Sequence, residues 1–225
     1  MPARTETYDT IQARIHAAAA PLGTAVRLLA VSKTQPAAAV RALAARGQRD
    51  FGENYVQEAL AKQRELADPA LRWHLIGPLQ SNKCREAARH FDWLESLDRP
   101  KLVPLLARER PAASAPLNVL VQVNVDDEDS KSGCAPEQAL ALCEAVAAQP
   151  RLALRGLMAI PAPRARMDAR RASFQRMHAL FASIRPRFPG FDTLSMGMSE
   201  DFEMAIAEGA TEVRIGSALF GARPG

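Results

Sequence analysis

The chain has 225 residues, 48% of them hydrophobic and 24% charged, with 29 lysines and arginines against 25 acids for a net charge of +4. That apolar content excludes a wholly disordered chain, and a surplus of four charges is too small to argue for a nucleic-acid partner. No run of about 18 apolar residues is present to span a membrane, so the expected partners include neither nucleic acid nor membrane. Cys84, Cys134 and Cys143 are widely spaced without a C-x-x-C pair. That leaves neither a zinc ribbon nor a thioredoxin motif, and the three read as reduced thiols. The N-terminus lacks the basic-then-apolar order of a secretory signal, so the expected location is the cytoplasm.

In chain order, an extra helix is expected over residues 5–20. Eight short apolar runs then read as strands, at 26–32, 49–52, 72–77, 91–96, 117–123, 153–160, 193–196 and 212–215. Between them, segments 36–46, 53–66, 81–89, 136–149, 168–184 and 199–208 are rich in Ala, Leu, Glu, Gln and Arg, which favour helix. Pro36 and Pro136 suit a first helical position, where a missing N–H costs nothing. Continuous apolar strands alternating with helices imply a parallel sheet covered on its outside. Eight such units favour a closed (β/α)8 TIM barrel over an open doubly wound sheet, as one domain over 1–225.

Ligands of such folds gather at the carboxyl ends of the strands. The residues there are Lys33 and Thr34; Glu53 and Asn54; 77–80; Ser96; Asn124; Pro161; 195–199; and Gly216 with Ser217. A lysine at a strand end can be desolvated into an imine-forming nucleophile, or simply point into solvent; Lys33 alone decides nothing. The run VRIGSALFG at 213–221 ends a strand in Gly-Ser before a short helical piece. It can hold a phosphate on backbone N–H groups or be an ordinary turn. The SMGMS loop at 195–199 lies beside it, after the seventh strand, where barrel phosphate sites recur.

Other signals are weaker. No G-x-x-x-x-G-K-[ST] or G-x-G-x-x-G occurs, and His16, His74, His90 and His178 do not pair at metal-ligand spacing. His74, inside RWHLIG, reads as a hydrogen-bonded histidine of core or pocket. The basic run 164–176 reads as a solvated helix face, and the acidic run 126–129 as a solvated loop beside Lys131.

Taken together, AVSKT at 30–34, FGENYVQE at 51–58, WHLIGPLQSNK at 73–83, SKSG at 130–133, RGLMAI at 155–160 and the stretch 194–221 carry a family resemblance across nearly the whole chain. The chain resembles the pyridoxal 5′-phosphate (PLP) homeostasis proteins, related to the N-terminal barrel of alanine racemase. The resemblance implies a fold-type III barrel with PLP bound as an imine to Lys33. Arg214 would face the pyridine nitrogen, Gly216 and Ser217 with Ser195 and Ser199 would hold the phosphate, and Asn54 would lie beside the ring. It implies intracellular PLP homeostasis, with the cofactor sequestered or delivered and PLP-dependent apo-enzymes as recipients, rather than turnover. The rival reading is a PLP-dependent amino-acid racemase, but racemases add a second domain and a partner subunit's tyrosine. This barrel leaves no room for that domain, which also points to a monomer.

Overall fold

The computed structural model describes residues 6–126, 132–161 and 167–221. Its strands are β1 (Arg27–Val31), β2 (Asp50–Glu53), β3 (Arg72–Leu75), β4 (Trp93–Leu97), β5 (Leu117–Gln122), β6 (Leu152–Met158), β7 (Thr193–Ser195) and β8 (Glu212–Ile215). They pair in sequence order, all parallel, and β8 returns to β1 to close the barrel, so no strand edge is left open. All eight expected strands are present, with ends moved by at most two residues.

The helices are α1 (Tyr8–Ala19), α2 (Ala37–Ala45), α3 (Val56–Leu66), α4 (Cys84–His90), α5 (Leu102–Glu109), α6 (Ala139–Ala147), α7 (Met167–Ile184), α8 (Phe202–Ala207) and α9 (Ser217–Phe220). The α1 helix starts at Thr7, whose hydroxyl accepts from the Thr10 amide at 3.2 Å, an N-cap that satisfies one orphan donor. Residue 5, its expected start, lies outside the described residues. Ile11, Ile15 and Ala19 repeat every four residues and bury one face of α1.

Three expectations need correction. Pro36 caps α2 from outside rather than opening it, with extended backbone at φ −69 and ψ 156. The helix expected from residue 53 begins at Val56, because Glu53 ends β2. No helix was expected over LVPLLARE, yet α5 forms there; Pro104 sits in its first turn, whose amides have no intrahelical partner to lose.

The apolar core lies mostly between the strand ring and the helices, while inside the ring the apolar cluster is only Trp93, Leu120 and Met158. Leu29 is also buried there, and several of the other described lumen residues are polar. Glu95 of β4 accepts from Ser195 of β7 at 2.8 Å; these strands are not neighbours, so the bond crosses the lumen. At the amino-terminal end, the Trp93 indole is stacked on the His74 ring with centroids 5.2 Å apart. The guanidinium groups of Arg27 and Arg155 lie over the same indole at 4.4 and 5.1 Å, a cation–π arrangement at this end.

The acidic run at 126–129 is also not simply solvated. Asp126 accepts 2.6 Å hydrogen bonds from Arg176 and from the Ser173 hydroxyl, and its side chain is 2% exposed. Residues 127–131, including Lys131, lie outside the described residues, as do 164–166 of the basic run. Within that run, Arg171 pairs with Glu208 at 3.1 Å and Arg176 with Asp126.

Candidate functional site

A cleft of about 700 Å³ opens at the carboxyl ends of the strands, within the usual range for small-molecule sites. Lys33, Asn54, Ser199, Arg214, Gly216 and Ser217 all line it, so six of the seven site residues expected from sequence share one cavity. The seventh, Ser195, does not.

Lys33 follows β1 and is half-buried, and Thr34 beside it has a left-handed φ of 64°, uncommon for a β-branched residue. That turn is held from below. Lys62 of α3 donates to the Ser32 carbonyl, Glu53 Oε1 and Glu58 Oε1, each at 2.7 Å. Glu58 in turn accepts the Thr34 amide at 2.6 Å, and the Ser32 hydroxyl donates to Glu53 Oε1 at 2.5 Å. The residues on both sides of Lys33 are therefore tied to one cluster. Glu58 and Lys62 reach it together because an i, i+4 pair shares a helix face. Burial pushes the Glu53 carboxyl above its ordinary range, against the pull of Lys62 and the Ser32 bond.

Asn54 follows β2, and Gly77 presses against it from the end of β3. A Cβ at Gly77 would stand 2.2 Å from the Asn54 carbonyl oxygen. This is backbone against backbone, which cannot rotate away. Gly77→Ala is expected to cost about 1–3 kcal/mol of stability, as other overpacked sites do, and to weaken ligand binding by displacing Asn54. Equilibrium unfolding and a binding titration would check it; wild-type values in both would show that the strand ends shift freely.

Arg214 lies on β8 and is 4% exposed. Its Nη1 donates to Ser195 Oγ at 2.7 Å and its Nη2 to the Ala159 carbonyl at 2.8 Å. Burial pushes this guanidinium down from its ordinary value, opposed by the charges of Glu95, Glu212 and Asp201. Ser195 is fully buried, accepting from Arg214 and donating to Glu95. It is the last residue of β7 and, unlike the other six expected site residues, is absent from the cleft lining. Ser199 stays at the cleft, where its Oγ accepts the Ala218 amide at 3.4 Å and ties the loop after β7 to the start of α9. Gly216 caps α9 and fits closely over β1, where a Cβ would lie 3.2 Å from the Val31 carbonyl.

Sequence reasoning missed Gln122, Arg170 and Asp201, which also line the cleft, the last two as an ion pair at 3.6 Å. Arg170 belongs to the run read as a solvated face, so that reading fails for it. Its position one turn into α7, nearest the strand ends, was the available signal. His74 is as expected a buried, hydrogen-bonded histidine, between Glu95 at 2.7 Å and Asp50 at 3.1 Å.

The alanine racemase N-terminal domain family model matches residues 7–224. The chain is 58% identical over 221 residues to the pyridoxal phosphate homeostasis protein of Pseudomonas aeruginosa, an alignment covering 97% of this chain and 95% of that one. It is 51% identical over 219 residues to the protein of the same name from Escherichia coli K12, covering 95% and 94%. The chain belongs to the pyridoxal phosphate homeostasis protein family. Among solved structures, PipY of Synechococcus elongatus PCC7942 with PLP bound superposes with a TM-score of 0.82 at 41% identity, covering 94% of this chain and all of that one. The alanine racemase of Corynebacterium glutamicum, at 20% identity and a TM-score of 0.67, shares the fold while this chain spans 65% of its length. The family fold is thus the closed eight-stranded barrel described above, with the cleft at its carboxyl-terminal mouth.

Proposed function

We propose that this chain binds PLP in the cleft at the strand ends and serves in intracellular PLP homeostasis, holding the cofactor as an imine on Lys33. The observation that carries this reading is the meeting, in one cavity, of an amine, a buried guanidinium and a serine-glycine wall: Lys33, Arg214, and Ser199 with Gly216 and Ser217. That donor set fits the group, with an amine for the aldehyde, a cation for the ring nitrogen and hydroxyls for the phosphate. When bound, PLP supplies an electron sink that works best with its ring nitrogen protonated.

Arg214 is a donor with no acceptor, so it favours an unprotonated ring nitrogen and weakens that sink. A racemase also needs a second proton-transfer group opposite Lys33. Tyr8 is engaged with Gln12 and Gln48 on the outside of the barrel, and Tyr55 is 64% exposed; neither lines the cleft. We therefore read the site as one that keeps and hands on the cofactor without turnover, as a cytoplasmic monomer whose recipients are PLP-dependent apo-enzymes. The free, buried state of all three cysteines agrees with a reducing compartment, and no described helix is long and apolar enough to cross a membrane.

The test is the visible absorption of the purified protein with PLP, before and after borohydride, with the modified peptide identified by mass. The expected result is a band that bleaches and a pyridoxyl adduct on Lys33, both lost in Lys33→Ala. A wild-type protein without a band, or an adduct on another lysine, would overturn the assignment.

A further inference from the structure

Arg214 rests on two neutral acceptors, the Ser195 hydroxyl and the Ala159 carbonyl, although a buried cation needs a countercharge. The carboxylate joined to it by hydrogen bonds is Glu95. Its Oε2 accepts from Ser195 at 2.8 Å and its Oε1 meets His74 Nδ1 at 2.7 Å. His74 Nε2 reaches Asp50 Oδ1 at 3.1 Å, and Asp50 is gripped by Arg72 through two bonds of 2.7 Å. This chain crosses the lumen from the cleft to the amino-terminal face, where Arg72 is half exposed.

The other charged groups facing it are Glu212 of β8, Arg27 of β1, Asp201 just before α8, which acts on Arg214, and Asp92 just before β4, which acts on Arg72. Ligand atoms of Glu212, Glu95 and His74 lie within 4.8 Å of one another. Arg27 Nε is 3.0 Å from Glu212 Oε2 but without the alignment of a hydrogen bond, and neither Glu212 oxygen has a hydrogen-bond partner. Glu212 therefore adds charge to the lumen and lies near enough to Ser195 to feel its hydroxyl, but the aligned Ser195 bond goes to Glu95. Glu95 brings both the charge and that bond.

We infer that Glu95 is a positioning residue for the cofactor cleft: through Ser195 it aims Arg214 and offsets the guanidinium's positive field there, with His74 orienting the carboxylate from behind. The inference rests on the PLP reading above. It explains why polar side chains stand in the lumen where barrels of this kind ordinarily pack branched apolar ones. Burial would raise the Glu95 carboxyl, yet the His74 bond and the charges of His74 and Arg214 hold it below its ordinary range. It is thus an anion at neutral pH. Removing that charge takes away the first of the three carboxylates that offset Arg214, leaving Glu212 and Asp201, and a more positive field disfavours a protonated imine on Lys33.

The test follows the visible band of the PLP-loaded protein as pH is raised. Glu95→Gln keeps nearly the same shape, removes the charge and turns one of the two accepting oxygens into a donor, so a packing role predicts an unmoved titration midpoint. The expected result is a midpoint lower by about one pH unit or more. Ser195→Ala, a smaller change, guards against misfolding of the first variant: it leaves both charges but cuts the link. It is expected to raise the PLP dissociation constant at least threefold with an unchanged circular dichroism spectrum. A folded Glu95→Gln with the wild-type midpoint, or a folded Ser195→Ala with wild-type affinity, would overturn the inference while leaving the Lys33 assignment intact. A wild-type protein without a band would instead remove the PLP reading itself.

Discussion

Replacing Lys62 by methionine is expected to lower the unfolding free energy by about 3–5 kcal/mol, the usual result of removing one partner from a buried ion pair. Lys62 is 6% exposed and Glu53 not at all. Glu53 Oε2 already lacks a hydrogen bond, so the substitution leaves a buried carboxylate with little beyond the Ser32 hydroxyl. For a chain of this length the loss corresponds to a fall in Tm of roughly 6–20 °C. Two further readouts separate lost charge from lost packing. The deficit should shrink at acid pH, where Glu53 can take up a proton instead of staying charged. Glu53→Gln should recover part of it in the Lys62→Met background. A loss below about 1 kcal/mol, or no recovery in the double variant, would mean the cluster is more hydrated than its burial indicates. Because the cluster also holds Ser32 and Thr34, Lys62→Met should, on the PLP reading proposed above, raise the PLP dissociation constant as well.

Stability is expected to fall as pH rises from about 6.5 to 9, by on the order of a few kcal/mol, and the slope should vanish in His74→Gln. Burial alone would push the His74 imidazole down. The bonds to Asp50 and Glu95, with the charges of Glu95 and Glu212, outweigh this and bring it up to about 9 from an ordinary 6.5. The folded state thus holds a proton that the unfolded chain gives up across this window. The contribution is complete below 6.5 and lost as pH climbs through 9. Glu212 acts with the same sign at lower pH. Burial and the neighbouring Glu95 charge raise its carboxyl to about 7 against the pull of His74 and Arg27, so its contribution fades between about 4.5 and 7. Asp50 and Glu95, both held low, act oppositely, and their contribution is lost only as pH falls through the acid range. Thermal unfolding of wild type and His74→Gln at matched ionic strength between pH 6.5 and 9 measures the difference. A flat wild-type profile, or equal slopes, would show that His74 is neutral in the fold.

The barrel was legible in the sequence because strands buried on both faces are written as continuous apolar runs, and eight such runs between helix formers admit few architectures. LVPLLARE escaped because a proline inside an apolar run looks like a break, when in the first turn it is harmless. Glu53 was read into a helix segment; it is a strand residue through its ladder with Leu75 of β3, and its carboxyl can be buried there because Lys62, nine positions on, pairs with it, which no local pattern reveals. The cleft was legible through the strand ends and the family motifs. The lumen was not. Its members stand on different strands, with Glu95 and Ser195 bonded across a sequence separation of 100, and each reads singly as an ordinary polar residue. Ser195 shows the limit most plainly: being at a strand's end fixes its height in the barrel but not whether it faces the cleft or the interior.

The indole of Trp93 under its two guanidinium groups has a consequence for traffic. On the proposed reading, with that ring and its two cations filling the amino-terminal end, a ligand at Lys33 would come and go past the loops at the carboxyl-terminal mouth. Loading and unloading would then share one doorway. On that reading a donor and a recipient that each need the mouth would exclude one another, and the protein would be filled or emptied in turn rather than act as a conduit between the two.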